Sequence, residues 1–364
     1  MEENKSILIT TSPHLHEGSS TRSIMLAVTI CLLPAGIWGV VVFGLRALAV
    51  VLTAIVASVL TEAVISRVLK RNTLPDCSAI LTGLLVGYNM PPSVPLFIPA
   101  VASVFAIAVV KMTFGGLGRN WMNPALAGRV FVTFSWTGPM TTWLLPKTWG
   151  GADAATGASV LGFIKAGLID GSGGAQGPAQ FLALGNYPHS PFDLRLTQWL
   201  NTGLFGGRLE AGYVDLFVGS IPGCIGEVSA LLLLLGSIYL FARKIITWEI
   251  PVTYLATFSV LVWVFGGLRF ESGFFHGDVL FHLFSGGLML GALYMATDMV
   301  TSPLTSKGMI IFGVGAGFLT FLIRFYGSFP EGVSLAIILM NMFVPLINRL
   351  TKPVKFGYLK EARQ

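Results

Sequence analysis

"SIMLAVTICLLPAGIWGVVVF", Ser23 to Phe43, runs for 21 residues without a charge. As a helix rising about 1.5 Å per residue it covers roughly 30 Å, the thickness of a bilayer's hydrocarbon core. Working outward, similar apolar runs follow at about Ala47–Leu69, Ser78–Met90, Leu96–Phe114, Pro124–Trp136, Ile221–Ala242, Glu249–Gly267, Val279–Met295, Met309–Phe325 and Gly332–Ile347. The third is short and ends in "MPPSVP" (Met90–Pro95), the mark of a half-helix or re-entrant element. Of the 364 residues 54% are hydrophobic and 11% charged, and the mean hydropathy is +0.75, which excludes a water-soluble domain of this length. The expected fold is all-α, a polytopic membrane protein with about ten transmembrane helices.

Charge orients such a chain. The first 22 residues are polar and the first apolar run is too long for a signal-peptide core, so the N-terminus is expected in the cytoplasm. With about ten crossings the inner side then carries Lys5, Arg22, Arg67, Lys70, Arg71, Lys111, Arg119, Arg129, Arg243, Lys244, Lys307, Arg349, Lys352, Lys355, Lys360 and Arg363. The short outer loops keep Arg46, Arg269 and Arg324. This asymmetry follows the positive-inside rule, and the basic balance reflects it rather than a nucleic-acid surface. The expected layout is a cytoplasmic segment 1–22, a first five-helix half 23–136, a long extracytoplasmic loop 137–220, a second half 221–348 and a cytoplasmic tail 349–364. Both termini are then inside a bacterial inner membrane.

The halves echo one another. "TGLLVG" (Thr82–Gly87) before "NMPPSVP" resembles "GGLMLG" (Gly286–Gly291) before "MATDMVTSP", each in the third crossing of its half. An odd number of crossings per half inverts the second relative to the first, as in many transporters. A chance likeness of Gly/Leu-rich helices is the other reading.

Polar residues within these runs are costly unless they face a partner, a cavity or the interface. Asn89, Asn123, Glu227, Asp278 and Asp298 are the candidates for an ion path, since most sit beside helix breakers in "YNMPPSVP", "WMNPALAG", "IPGCIGEVS" and "MATDMVTSP". Asp76 and Asn341 are of the same kind, and for Asp76 and Asp278 a helix cap explains the residue equally well. The five histidines show no metal-ligand spacing, and Cys31, Cys77 and Cys224 read as buried thiols. No P-loop pattern occurs.

One polar run stands apart: "DAATGAS", Asp153 to Ser159, inside the long loop. Read from its residues alone it is either a linker of small residues or an accessible hydroxyl, on Thr156 or Ser159, that a modifying enzyme can use. The pattern Asp-x-x-Ser/Thr-Gly-Ala-Ser/Thr, here Asp153, Thr156, Gly157, Ala158 and Ser159, resembles the site at which a flavin transferase attaches FMN through a phosphoester. "GGLGRNWMNPALAGRVF" (Gly115–Phe131), "SIPGCIGEVSALLLLLG" (Ser220–Gly236), "YMATDMVTSPLTSKG" (Tyr294–Gly308) and "PEGVSLAIILMNMFVPLIN" (Pro330–Asn348) resemble the RnfD/NqrB family over about Ser12 to Phe356. The chain's length, without a large N-terminal extension, favours the RnfD branch. Family members usually carry threonine at the acceptor position; Ser159 departs from that pattern and leaves Thr156 as the fallback.

The resemblance implies covalent FMN on Ser159, a second non-covalent flavin such as riboflavin, and electron flow between ferredoxin and NAD coupled to Na⁺ or H⁺ movement. It implies as partners the other membrane and peripheral subunits of an Rnf-type complex and a flavin transferase, and no nucleic acid. Two inverted five-helix halves also resemble urea-type channels, so a passive channel without redox chemistry is the alternative; flavin fluorescence of the denatured chain separates the two.

Overall fold

The computed structural model describes residues 20–70, 73–147, 156–167, 175, 177–185, 187–202, 210–329 and 331–352. The chain folds into α1 (Thr21–Phe43), α2 (Leu45–Val68), α3 (Ser78–Tyr88), α4 (Phe97–Val104, widening into π-helical turns over Phe105–Met112) and α5 (Pro124–Ser135). A layer of short elements follows: α6 (Thr137–Met140), a two-stranded ribbon of β1 (Trp143–Leu144) and β2 (Thr156–Gly157), α7 (Val160–Gly167), α8 (Pro178–Leu184), α9 (Pro191–Leu200) and α10 (Tyr213–Val218). The second half holds α11 (Ala230–Ala242), α12 (Glu249–Phe265), α13 (Val279–Phe284), α14 (Leu288–Leu290, continuing as π turns Gly291–Met295), α15 (Ser306–Tyr326) and α16 (Val333–Leu350).

The surface is inverted relative to a soluble protein. On α2, Leu52, Val56, Leu60 and Val64 stand exposed at one-turn spacing, whereas Ser58, Glu62 and Ser66 of the same helix are buried. Such a stripe is stable only against lipid. Among the described residues five helices are long and apolar enough to span a bilayer: α1, α2, α12 with its 3₁₀ extension to Phe270, α15 and α16. This is an all-α polytopic membrane protein.

Several of the other crossings are short or broken, as expected from the sequence for the third. α3 stops at Tyr88, and no regular helix resumes until Phe97. Residues 221–229, read from sequence as the start of a sixth crossing, are non-helical, and that helix begins at Ala230. Within Val279–Met295 the helix opens at Ser285–Gly287, with Gly286 at φ +67°. The prolines explain much of this, since Pro91, Pro92, Pro95 and Pro222 offer no N–H to a helix. What replaces the lost helical bonds is contact between the halves. Ile225 N–H donates to Met90 O (3.1 Å) and Gly226 N–H to Tyr88 O (3.0 Å). Gly226 is required there, because a Cβ would lie 2.3 Å from the Tyr88 ring. Irregular backbone is tolerated at membrane depth when another part of the protein satisfies it.

The halves also pair like with like. α1 packs on α11, and α5 on α16. Arg129 of α5 reaches Ser334 near the start of α16, while Asn341 of α16 lies against the backbone of Asn123 at the start of α5. The two helices thus cross antiparallel.

The loop layer is tied by carboxylates. Asp193, fully buried, accepts from the N–H groups of Gly212 (2.8 Å), Val214 (3.0 Å) and Asp215 (3.1 Å), and so fastens the start of α10 to α9. Asp215 accepts from Ser190 N–H (2.7 Å) and from the Ser190 hydroxyl. The ligand atoms of His189 lie with these carboxylates within 4.8 Å, but backbone donors occupy the carboxylates. Burial raises the Asp215 carboxyl to about 6, partly offset by the Ser190 hydrogen bonds. Asp193→Ala strips three buried N–H groups of their acceptor and is expected to cost about 3 kcal/mol or more of loop stability. Limited proteolysis of the folded protein should then cut near residues 210–220 at least tenfold faster; an unchanged rate counts against this joint.

Candidate functional site

The described part of the "DAATGAS" segment is ordered by its neighbours. Leu144 pairs with Thr156 and Trp143 with Gly157 in the ribbon, and the Tyr187 hydroxyl donates to Ala158 O (3.0 Å). Asp153 lies outside the described residues. Ser159 caps α7: its Oγ accepts from Gly162 N–H (3.1 Å) and its carbonyl from Phe163 N–H (2.8 Å). Its residue exposure is 5%, which corrects the reading of a free hydroxyl on an exposed loop. A serine is favoured at a cap because the first N–H groups of a helix lack intrahelical partners. The same location suits a phosphoester, whose charge would face the positive end of α7.

A second constellation sits where the broken segments meet. Arg129, six residues into α5, donates to Asn89 Oδ1 (2.8 Å), Ser334 Oγ (3.1 Å) and Glu331 Oε2 (2.7 Å), and lies 3.6 Å from Cys224 Sγ. Glu227 accepts from Cys224 N–H through Oε1 (3.1 Å). Its Oε2 is buried without a partner among the described residues and points at Gly287, where a Cβ would come within 2.5 Å. One cation therefore faces two buried carboxylates. The Arg129–Glu331 pair compensates one of them, and Glu227 keeps a free oxygen.

Two cavities approach this centre. One of about 80 Å³ is lined by Arg129, Cys224, Glu331 and Ser334, and reaches Trp143 of the loop layer. The other, about 110 Å³, is lined by Ser78, Lys111, Asn120, Asn123 and Asp298. Between them, Asn123 Nδ2 donates to Met295 O (3.2 Å) and Asn89 Nδ2 lies 3.6 Å from Met295 Sδ. At the second cavity Lys111 and Glu62 form a buried ion pair of 2.6 Å, with Ser78 Oγ also 2.6 Å from the ammonium.

Of the five ion-path candidates, the fold brings Asn89 and Glu227 together around Arg129. Asn123 stands beside them but mainly caps α5, accepting from Ala125 N–H (3.0 Å) and Leu126 N–H (3.3 Å). Asp298 lies apart in the second cavity, bonded to Thr301 Oγ1 (3.1 Å). Asp278 is elsewhere again: it caps α13 through Phe281 N–H (3.0 Å) and accepts from the Tyr213 hydroxyl. Sequence reasoning missed Arg129, Lys111 and Arg324 by counting them as loop charges, although all three are largely or fully buried. The signal was present, since each lies inside an apolar run, where a charge calls for a partner.

A profile of the NQR2, RnfD, RnfE family matches residues 8–357. The RnfD-type component of the proton-translocating ferredoxin:NAD(+) oxidoreductase complex of Clostridium ljungdahlii is 43% identical over 350 residues, covering 96% of both chains. The Na(+)-translocating counterpart of Acetobacterium woodii is 42% identical over 97% of this chain and 96% of that one. The corresponding component of the ion-translocating oxidoreductase complex of Stutzerimonas stutzeri is 39% identical over 93% of each. All three names are those of ion-translocating oxidoreductase complexes, and they lend no support to the passive-channel alternative. By the near-complete match and these identities, the chain belongs to the NQR2, RnfD, RnfE family.

Proposed function

We propose that this chain is the RnfD-type membrane component of an Rnf-type ion-translocating ferredoxin:NAD oxidoreductase, inactive alone, carrying FMN on Ser159. The observation that supports it most is the identity of 42–43% to two such components over nearly the full length. In the transferase reaction the Ser159 hydroxyl would attack the riboflavin-side phosphorus of FAD, forming the O–P bond while the pyrophosphate link breaks, AMP leaves and the hydroxyl proton passes to a base of the transferase. With the side chain buried at the cap of α7, attachment must come before the loop layer packs, or during its opening. The flavin supplies electron transfer when bound. The chain's own residues hold its attachment point at a helix start and bury it, which limits exchange with solvent. A second, non-covalent flavin belongs to the same reading.

The ion path runs through the first cavity, whose wall holds the Arg129–Glu331 pair beside Glu227, past Asn89 and Asn123 to the second. A cation leaving water needs anionic or carbonyl oxygens at membrane depth, and Glu227 Oε2 is an oxygen of that kind with no hydrogen-bond partner among the described residues. Na⁺ and H⁺ are both compatible with it. The partners are the complex's other subunits and the flavin transferase. The test of the whole reading is direct: the denatured chain should fluoresce as a flavin band on a gel, and vesicles holding the complex should take up Na⁺ or H⁺ during ferredoxin-driven NAD reduction. Absence of both supports a channel instead.

Orientation belongs to this proposal too: bacterial inner membrane, termini inside, loop layer outside. Removing the buried Lys111 and Arg129 from the inner side still leaves Arg22, Arg67, Lys70, Arg243, Lys244, Lys307, Arg349 and Lys352 there. In a chain whose Cys77 is replaced by Ser, Ala183→Cys should react with an impermeant thiol reagent from outside and Lys70→Cys should not. Reversed labelling overturns the orientation.

A further inference from the structure

α9 turns polar side chains inward and aromatic ones outward. Asp193 and Thr197 are buried, whereas Phe192 is 56% and Trp199 66% exposed. At 3.6 residues per turn Phe192, Leu196 and Trp199 fall on one stripe, with the exposed Arg195 beside them. Bare rings next to a basic side chain are poorly placed in water and well placed at a boundary that is apolar on one side and polar on the other. The helix is firmly held there. Asp193 accepts N–H groups from Gly212, Val214 and Asp215 around the start of α10, and Asp215 accepts in return from Ser190, the cap of α9.

α10 fixes the height at which α9 begins. Its far end is held by α1, where Trp38 Nε1 donates to Gly219 O (2.9 Å). Trp38 lies five residues, about 7 Å, before the end of α1 at Phe43. α1 crosses the hydrocarbon layer with little length to spare, so Phe43 marks its edge. α10 has six residues, about 9 Å, and even standing upright it lifts its first turn only a few ångströms beyond that edge. The start of α9 is therefore at headgroup level. The lipid-facing surface continues beside it: α10 packs on α13, whose Leu280 is exposed, and the loop before α13 lays the exposed Phe275 against the exposed Trp263 of α12, ring centroids 5.0 Å apart.

We propose that α9 lies in the headgroup zone of the bilayer on the loop-layer side, with Phe192, Leu196 and Trp199 turned to the acyl-chain boundary and Arg195 on a phospholipid phosphate. A guanidinium matches the geometry of a phosphate, and its stem can follow the apolar stripe while the charge stays among the headgroups. The partner of this face is a phospholipid rather than another subunit, and the loop layer is seated on the membrane as well as on the bundle.

The test uses the full complex in native membranes, with photoreactive benzoylphenylalanine in place of Phe192, Trp199 or Gln198, one at a time. Gln198 is the control, about 100° around the helix from Trp199. After irradiation, the mass of the isolated chain should show phospholipid adducts from positions 192 and 199 in at least tenfold the yield from position 198. Adding Arg195→Gln should lower the yield from position 199 at least twofold, and an unchanged yield takes Arg195 off the phosphate. A cross-link from 192 or 199 to another subunit assigns the face to a protein partner and overturns the proposal. Lipid adducts no more abundant at 192 and 199 than at 198 overturn it too. Where a photoreactive variant fails to assemble, a nitroxide on Trp199→Cys, in a chain whose Cys77 is replaced by Ser, gives the second measurement. Oxygen, which concentrates in lipid, should relax that label more than a water-soluble nickel chelate does, and the reverse order overturns the proposal.

Discussion

Ser159→Ala is expected to abolish the flavin fluorescence of the denatured chain while the protein still reaches the membrane. The substitution removes the hydroxyl that would form the phosphoester, so the loss should be complete rather than partial. Its structural cost is bounded. Ser159 caps α7 through one bond to Gly162 N–H, and losing such a cap costs about 1 kcal/mol, too little to unfold a bundle with an extensive apolar core. Ser159→Thr keeps a hydroxyl and a cap and should keep the band. Thr156→Ala should leave it as well. A band of undiminished intensity in Ser159→Ala removes Ser159 as the acceptor, and its transfer to dependence on Thr156 would identify the fallback. Because the side chain is buried in the folded loop, protein made without transferase and supplied with it later should label slowly, and faster when Asp193→Ala loosens the layer. Equal rates would mean that the hydroxyl is reached without opening.

The membrane fold was legible because lipid demands long apolar runs, and α1, α2, α12, α15 and α16 supply them nearly residue for residue. Continuity was legible only at the third run, where "MPPSVP" marks the break. Composition counts Ile221–Val228 as apolar, yet this stretch is extended toward the other half, and its backbone bonds go to Tyr88 and Met90, 135 or more residues away in sequence. A window over local sequence cannot see a partner that distant. The candidate centre was half legible for the same reason. Glu227 and Asn89 stood out as polar residues beside breakers, whereas Arg129 was assigned to a loop because the positive-inside rule weighs charges without asking whether a carboxylate from α16's start awaits them. The free face of α9 was not legible at all: "PFDLRLTQWL" mixes charged and apolar residues too closely for a hydropathy window, and which flank stays uncovered is set by the bonds from Asp193 to the start of α10.

Glu227→Gln is expected to lower ion uptake per NAD reduced at least tenfold, roughly 1.4 kcal/mol of lost stabilisation for the ion in transit, with flavin content unchanged. Glutamine keeps the Oε1 acceptor that Cys224 N–H uses and keeps the side chain's shape, so the irregular 221–229 segment should hold its course. What disappears is an ionisable oxygen that has no hydrogen-bond partner among the described residues. Arg129 sets the contrast. Removing its guanidinium leaves Glu331 without its 2.7 Å partner beside Glu227, and stripping one member from a buried pair costs about 3–5 kcal/mol. Arg129→Gln should therefore lose assembled protein, and the double change Arg129→Gln with Glu331→Gln should recover much of it, since neutral groups need no counter-charge. A purely structural Glu227 predicts a different pattern: Glu227→Gln would either transport normally or disappear from the membrane together with its flavin. Uptake and flavin content measured on the same vesicles separate these cases, and normal uptake at normal flavin content takes Glu227 off the path.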